Sequence, residues 1–260
     1  MTNILDKIIA NKRLEVERHK KDTSINELEK RLSTITNPSS FKEAIKNSRT
    51  GIIAEFKRRS PSRDWIFKDA KVEDVIPLYS QNGASAISVL TDMDFFGGEL
   101  ADLELAGSLT KTPLLRKDFV VDEYQLYEAK ISGASAILLI ASALTIDETK
   151  QLAQKAKELH LDVLLEIHNE QELHHINDKV DVVGVNNRNL GTFVTDIQIS
   201  FDLADKIPND FIKISESGIS QPQTVIELQQ AGYKGFLMGE NFMKTSNPGK
   251  ALEDFINQLT

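Results

Sequence analysis

The chain has 260 residues, of which 40% are hydrophobic and 27% are charged, and its formal net charge is −8. This composition is typical of a globular protein with a sizeable core. The acidic balance argues against a nucleic-acid partner, because phosphate backbones select basic faces, whereas small anionic ligands stay possible. The lack of cysteine excludes disulfides, a thiol nucleophile and a thiolate metal site, and it fits a reducing cytoplasm. No apolar run approaches the roughly 20 residues that a membrane-spanning helix needs.

The first 48 residues are predicted to form a helical extension. An amphipathic helix is expected over residues 3–18, because apolar and charged residues are mixed there without the apolar centre of a signal peptide. A second helix is expected over residues 24–32, since Ser24 and Glu27 form a capping-box signature. A further helical turn is expected over residues 41–45.

From residue 49 onward, short apolar runs alternate with helical segments, which indicates a parallel sheet covered by helices. The predicted strands cover residues 52–57, 86–90, 113–117, 136–140, 162–167, 180–185, 211–215 and 235–238. The helices after them are predicted at residues 72–81, 99–109, 123–131, 146–159, 170–175, 199–206, 222–231 and 248–259. Eight such units predict an α/β fold, a single (β/α)8 TIM barrel over residues 49–260, with the extension in one domain of residues 1–260.

Polar side chains follow six of the predicted strands, at the end of the barrel where active sites of this fold lie. They include Glu55, Lys57 and Ser60 after the first strand, Lys117 after the third, Glu166 after the fifth, Asn186 and Arg188 after the sixth, Glu216 and Ser217 after the seventh, and Glu240 after the eighth. Side chains alternate along a strand, so Glu55 and Lys57 are expected to point the same way. A solvated ion pair is the alternative for any one of them. Acids, bases and amides gathered on one rim favour a site for proton transfer.

Gly218 and Gly239 follow the seventh and eighth strands and favour a phosphate site. Glycine lets backbone N–H groups approach an anion closely, and a phosphate site in these two loops recurs in this fold. Turn formation is the alternative for either glycine alone. Beside such a site, the carboxylate of Glu240 is expected to point away from the phosphate.

Five segments carry a resemblance that extends along essentially the whole chain. They are IAEFKRRSPS at residues 53–62, LRKDF at 115–119, LEIH at 165–168, GVNNR at 184–188 and SESGI at 215–219. In this order and at these spacings they resemble the indole-3-glycerol phosphate synthase family. The resemblance implies a lyase of tryptophan biosynthesis that closes the indole ring of 1-(2-carboxyphenylamino)-1-deoxyribulose 5-phosphate and releases carbon dioxide and water. It implies a small phosphorylated substrate, no metal or organic cofactor, and a monomer.

The resemblance also implies roles for single residues. Lys117 matches the general acid that protonates the substrate carbonyl, and Glu166 matches the general base of the later dehydration. Glu55 and Lys57 match a coupled pair, with Lys57 near the substrate carboxylate. An acid role for Lys57 in the dehydration is also implied, and which of Lys57 and Lys117 acts at each step stays open. The other matches are Asn186 and Arg188 for orienting the substrate, Phe96 and Phe119 for apolar walls, and Ser60, Glu216, Ser217, Gly218, Gly239 and Glu240 for lining the substrate or its phosphate end.

The chain departs from the family at Asp64 and at Asn189, where many members carry Asp, and two other functions stay open. Asp64 stands where the family usually has glycine, so the first loop is expected to be stiffer and its carboxylate to repel an anionic substrate. A first alternative function is that of a phosphosugar isomerase with the same fold, although such enzymes need a Cys/Asp or Asp/Asp pair. A non-catalytic phosphosugar-binding barrel also stays open, but it leaves Lys117 and Glu166 without a role. No role is assigned to the five histidines.

Overall fold

A computed structural model describes residues 4–33, 35 and 37–259. Within them, eight parallel strands close into a barrel, in which each strand pairs with the next one along the chain and the last pairs with the first. The strands are β1 Ile52–Phe56, β2 Ala86–Leu90, β3 Leu114–Lys117, β4 Ala136–Ile140, β5 Asp162–Ile167, β6 Val182–Asn186, β7 Ile212–Glu216 and β8 Gly235–Met238. The predicted TIM barrel is therefore confirmed.

The helices lie outside the barrel and at its two ends. They are α1 Ile4–Asp22, α2 Ile25–Leu32, α3 Phe41–Lys46, α4 Val72–Gln81, α5 Met93–Phe96, α6 Leu100–Leu109, α7 Tyr124–Ile131, α8 Ile146–Glu158, α9 Gln198–Ala204, α10 Pro222–Gln230, α11 Glu240–Met243 and α12 Pro248–Ile256. Short 3-10 helices cover Ala141–Ala143 and Glu170–His175. Among the helices that the structure describes, none combines the length and the apolar character that crossing a membrane requires.

Most predicted bounds agree with the structure to within two residues. The first helix runs on to Asp22 instead of residue 18, and its predicted start at residue 3 lies outside the described residues. The predicted capping box of Ser24 with Glu27 is present. The one-turn helices α5 and α11 were not predicted, because four residues are too few to display a helical period.

Alternating strand residues form two apolar layers, one inside the barrel and one between the strands and the helices. The inner layer is closed at the amino ends of the strands by Phe41 and Ile45 of α3. At the opposite end it is continued by Leu5 and Ile8 of α1. The N-terminal extension thus contributes to both ends of the barrel.

Candidate active site

A cavity of about 330 Å³ opens at the carboxyl ends of the strands, beneath α1. Every residue that the sequence predicted for the site lines this cavity. They are Glu55, Lys57, Ser60, Phe96, Lys117, Phe119, Glu166, Asn186, Arg188, Glu216, Ser217, Gly218, Gly239 and Glu240. The closed barrel therefore brings together side chains that are far apart in the sequence.

Lys117 lies at the centre of a buried charge cluster. Its Nζ lies 3.2 Å from Glu166 Oε2 and 3.2 Å from Glu216 Oε2. The side chains of these two glutamates are 2% and 1% exposed, whereas Lys117 keeps 14%. On each of the three strands, the residue two positions earlier belongs to the inner core, so all three side chains point into the barrel. An ammonium held by two carboxylates at the floor of a cavity is suited to proton transfer.

The cluster gives its members different charge states. Burial by itself lowers the pKa of Lys117, but the carboxylates of Glu216 and Glu166 outweigh burial and hold the pKa above its ordinary value. Burial raises the pKa of Glu166, and Lys117 with His168 outweighs it, so this pKa lies below its ordinary value. For Glu216 burial prevails and raises the pKa to about 7. At neutral pH Lys117 is therefore charged and Glu166 is ionised.

Glu216 fits into the cluster because the neighbouring strand has glycine beside it. A Cβ at Gly184 would overlap Glu216 Oε1. Both carboxylate oxygens of Glu216 are buried without a hydrogen-bond partner among the described residues, which leaves them the ion pair with Lys117. Buried polar groups are normally hydrogen-bonded, so Glu216 is an acceptor that a ligand can meet.

Glu55 and Lys57 form a second ion pair in the same cavity. Lys57 Nζ lies 2.6 Å from Glu55 Oε1, and the two side chains are 15% and 4% exposed. This contact confirms that they point the same way. A Cβ at Gly239 would lie 2.5 Å from Glu55 Oε1. Glycine at residue 239 therefore makes room for Glu55, in addition to any part in the turn.

The loop after β7 presents its backbone to the cavity. Ser217 and Gly218 have φ values of 66° and 79°, in the left-handed region. That region is uncommon for a residue with a side chain, and strain of this kind is found mainly at functional sites. Among the described residues, the backbone N–H groups of Gly218, Ile219 and Ser220 donate no hydrogen bond to the backbone. Such a run of free N–H groups is a potential anion site.

Arginines from two loops surround Glu240. Arg188 Nη2 lies 3.8 Å from Glu240 Oε2, and Arg63 Nε lies 3.2 Å from Glu240 Oε1. Arg188 Nη1 also donates to Ser62 Oγ at 2.7 Å. The backbone N–H of Arg188 donates to Asn186 Oδ1 at 3.0 Å. The carboxylate of Glu240 is thus engaged by two guanidinium groups.

One wall of the cavity is apolar. The rings of Phe96 and Phe119 pack with their centroids 6.0 Å apart. Ile4, Leu5 and Ile8 of α1 line the same cavity. Sequence reasoning predicted the amphipathic helix but not its place over the site, because an apolar stripe indicates that a helix is buried without indicating against what.

Lys12 of α1 is buried behind this wall and was missed by sequence reasoning. Its Nζ lies 3.0 Å from Asp92 Oδ2 and 3.0 Å from Asp118 Oδ1. Asp92 caps α5 by accepting from the backbone N–H of Phe95 at 2.8 Å, and Asp118 accepts from the N–H of Phe119 at 2.8 Å. One lysine therefore holds both loops that carry the aromatic rings.

The first loop shows how the chain accommodates Asp64. This residue adopts a φ of 55°, a left-handed value that aspartate tolerates better than most residues. It lies in a two-stranded ribbon, Arg59–Ser60 with Asp64–Trp65, and its Oδ1 lies 2.9 Å from Arg59 Nε. Its side chain is 70% exposed and does not line the cavity. The geometry therefore argues against the expected repulsion of an anionic substrate.

His168, which received no role from the sequence, contacts the carboxylate of Glu166. Its Nε2 lies 3.3 Å from Glu166 Oε1, and its Nδ1 lies 3.2 Å from Glu172 Oε2. The two-residue spacing after Glu166 was the one signal in the sequence. In the part of the chain that the structure describes, no group of acidic or histidine side chains is arranged to hold a metal ion.

The chain matches one family model and several known proteins along nearly its whole length. The family model described as indole-3-glycerol phosphate synthase matches residues 5–255. A protein of this name from Bacteroides thetaiotaomicron is 52% identical over 259 residues, which is 100% of both chains. One from Aliarcobacter butzleri is 41% identical and covers 98% of this chain and 99% of its own length. One from Prochlorococcus marinus is 40% identical, with 99% and 90% covered.

Solved structures with lower identity share the fold. A mutant tryptophan synthase alpha-subunit from Pyrococcus furiosus matches with a TM-score of 0.61 and 17% identity, covering 81% of this chain and 97% of its own. The thiamine phosphate pyrophosphorylase of the same organism matches with a TM-score of 0.60 and 14% identity, covering 82% and 96%. These likenesses concern the barrel alone, whereas the family match and the relatives agree along the whole chain. The chain belongs to the indole-3-glycerol phosphate synthase family, the decarboxylating lyases of tryptophan biosynthesis that form indole-3-glycerol phosphate.

Proposed function

We propose that Lys117 is the general acid and Glu166 the general base when this chain converts 1-(2-carboxyphenylamino)-1-deoxyribulose 5-phosphate to indole-3-glycerol phosphate. The observation that carries the proposal is the position of Lys117 Nζ, 3.2 Å from both Glu166 and Glu216 inside the cavity. The raised pKa of Lys117 and the lowered pKa of Glu166 support it, since an acid must hold a proton and a base must lack one at neutral pH.

Ring closure is the step assigned to Lys117. As the ring carbon that bears the carboxylate attacks the substrate carbonyl, negative charge develops on the carbonyl oxygen. A proton from Lys117 Nζ neutralises this charge, and a largely buried ammonium between two carboxylates is well placed to supply it. The carboxylate then leaves as carbon dioxide, and the electron pair of the broken bond restores the aromatic ring.

Dehydration is the step assigned to Lys57 and Glu166. The new hydroxyl leaves as water when it receives a proton, which we assign to Lys57 beside Glu55. Glu166 takes up the proton released as the indole double bond forms. Two protons are donated and one is recovered, which agrees with the uptake of one proton when a carboxylate departs as carbon dioxide. Glu166 and Lys117 are close enough for a proton to return between them.

The aromatic end of the substrate is assigned to the apolar wall. Phe96 and Phe119 offer rings to the anthranilate group, and their contact with each other limits their movement. Arg188 and Asn186, which are joined by a hydrogen bond, are assigned to orienting the substrate hydroxyls and the anthranilate side. The substrate carboxylate is assigned to Lys57, because that ammonium lines the same cavity.

The phosphate end is assigned to the loops after β7 and β8. The free backbone N–H groups of Gly218, Ile219 and Ser220 support this assignment. Ser60 and Ser217 offer hydroxyl groups in the same cavity, and Gly239 completes its lining. Glu240 is assigned to the phosphate end through its backbone alone, because its carboxylate repels an anion.

Two further cationic side chains are assigned to binding the substrate phosphate. Arg63 and Lys244 line the cavity beside Glu240 and were not among the residues predicted from the sequence. Arg63 pairs with Glu240, so a bound phosphate would compete with that carboxylate for the guanidinium.

We also propose that the chain works as a cytoplasmic monomer without metal or organic cofactor. Light scattering on the purified protein tests whether it is a monomer.

The alternatives from the sequence fit less well. A non-catalytic phosphosugar-binding barrel needs the anion-binding loops but leaves the Lys117–Glu166 pair without a role. The function of a phosphosugar isomerase is disfavoured because the chain belongs to a family of lyases. Binding of the substrate without turnover would be the signature of the first, and isomerised product that of the second.

The direct test is a turnover assay that follows the fluorescence of the indole product. Wild type is compared with Glu166→Gln, and Glu170→Gln is the control because Glu170 is an exposed carboxylate that pairs with Lys206. We expect wild type and the control to turn over alike, and Glu166→Gln to lose at least about 100-fold in kcat. Full activity of Glu166→Gln would remove Glu166 from the mechanism.

A further inference from the structure

The carboxylate of Glu166 lies between two cations. Its Oε2 lies 3.2 Å from Lys117 Nζ, and its Oε1 lies 3.3 Å from His168 Nε2. Lys117 of β3 and His168 of the loop after β5 therefore contact different oxygens of one carboxylate, the histidine at ion-pair distance without hydrogen-bond geometry. Nothing in the proposed mechanism uses His168.

Glu172 fixes His168 from behind. Its Oε2 accepts from the backbone N–H of His168 at 2.7 Å and lies 3.2 Å from His168 Nδ1. Asn169 Nδ2 donates to the other oxygen of Glu172 at 2.8 Å, and Asn169 Oδ1 accepts from the backbone N–H of Glu172. The imidazole ring, 12% exposed, is thus oriented by a short loop that is hydrogen-bonded to itself.

His168 carries a positive charge at neutral pH. Burial lowers its pKa, but the carboxylates of Glu166 and Glu172 outweigh burial and raise the pKa to about 10. In the imidazolium both ring nitrogens carry a proton, which suits a ring that faces a carboxylate on each side. Around Glu166, the other titratable groups are Lys117 of β3 and Glu216 of β7.

We propose that His168 is a positioning residue that holds Glu166 in place and keeps it ionised after Lys117 has given up its proton. This inference rests on the proposed roles of Lys117 and Glu166. When Lys117 protonates the carbonyl oxygen, its own charge disappears, and the base loses the cation that stabilised it. His168 has no part in that transfer and remains charged, so Glu166 stays an effective base for the dehydration.

The test measures kcat and KM of the full chain as a function of pH. In His168→Gln we expect kcat at pH 7 to fall at least tenfold, KM to stay within about twofold, and the acidic limb of the kcat profile to move up by about one pH unit, because Glu166 becomes easier to protonate. Glu172→Gln is expected to move the limb in the same direction by less, and it replaces His168→Gln if that variant does not fold. Glu170→Gln, which alters a neighbouring exposed carboxylate, is the control. It should change neither kcat nor the position of the acidic limb.

The outcomes separate this inference from the mechanism on which it rests. An upward shift of the acidic limb with unchanged KM supports it. A lower kcat with an unmoved limb would mean a structural role only, and an unchanged kcat would mean no role; either overturns the inference. If Glu166→Gln is inactive while His168→Gln behaves as wild type, the inference alone fails. If Glu166→Gln keeps full activity, the assignment of the base fails first, and the inference fails with it.

Discussion

Lys12 Nζ lies 3.0 Å from Asp118 Oδ1, so helix α1 is ion-paired to the residue that directly follows Lys117. Arg116 Nη2 lies 3.0 Å from the other oxygen of Asp118. These two cations outweigh burial and lower the pKa of Asp118 to about 2. All three side chains are almost completely buried, with exposures of 0%, 2% and 0%. The N-terminal extension is therefore ion-paired to the chain immediately after the proposed acid, where β3 ends.

We expect Lys12→Met to destabilise the fold and loosen the aromatic wall. The substitution leaves Asp92 Oδ2 buried, without a hydrogen bond among the described residues and without its cation. Removing one partner of a buried ion pair costs about 3–5 kcal/mol of unfolding free energy, which urea denaturation measures. KM should rise as well, since Asp92 and Asp118 hold the backbone beside Phe96 and Phe119.

Lys20→Met is the matched control for this prediction. Lys20 lies on the same helix and pairs with Asp122 at 2.7 Å, but both side chains keep roughly a third of their exposure. Such a pair is worth at most about 1 kcal/mol. Equal losses of stability in the two variants would contradict the special importance of the buried lysine.

Asp64→Gly introduces the glycine that the resemblance to the family led us to expect in the first loop. Because Asp64 is exposed, paired with Arg59 and outside the cavity lining, we expect KM to change by less than about twofold. Steady-state kinetics at two ionic strengths measures this. A KM that falls tenfold or more in the glycine variant, with the difference vanishing in high salt, would restore the idea that the carboxylate repels the substrate.

Glu216 should make the stability of the protein depend on pH. Its pKa is raised from 4.5 to about 7, so between these values the folded protein holds a proton that the unfolded chain has released. Unfolding then releases a proton, and each pH unit in this range lowers the contribution of Glu216 to stability by up to about 1.4 kcal/mol. Above pH 7 the loss is complete.

Glu216→Gln removes this dependence. We expect the unfolding free energy of the variant, relative to wild type, to increase by at least about 1 kcal/mol between pH 5 and pH 7.5. Urea denaturation at a series of pH values measures the difference. A difference that stays constant over this range would show that Glu216 has an ordinary pKa in the folded protein. Activity should fall in the same variant, because Lys117 loses one of its two carboxylate partners.

The sequence was sufficient for the barrel and for the residues around its mouth. Short apolar runs reveal parallel strands, and in this fold the site lies at the ends of those strands, so Lys117 and Glu166 were predicted to lie on the same rim of the barrel. The alternation of side chains likewise predicted the contact of Glu55 with Lys57. The division of the chain at residue 48 stays a prediction.

Contacts between distant segments could not be predicted in this way. A lysine in an amphipathic helix is normally solvated, so nothing near Lys12 in the sequence indicates partners at Asp92 and Asp118. His168 was left unassigned because its role depends on the geometry of Glu172, four residues on. The second reason for glycine at residue 239, room for Glu55, likewise depends on the pairing of β1 with β8.

The measurement that tests the account most directly is the turnover of Lys117→Met beside wild type and Lys111→Met. Lys111 is an exposed lysine near the start of the same strand, so its loss controls for charge. We predict that Lys117→Met folds, binds the substrate and loses about two to four orders of magnitude in kcat, while Lys111→Met matches wild type. A folded Lys117→Met with kcat within tenfold of wild type would contradict the assignment of the general acid.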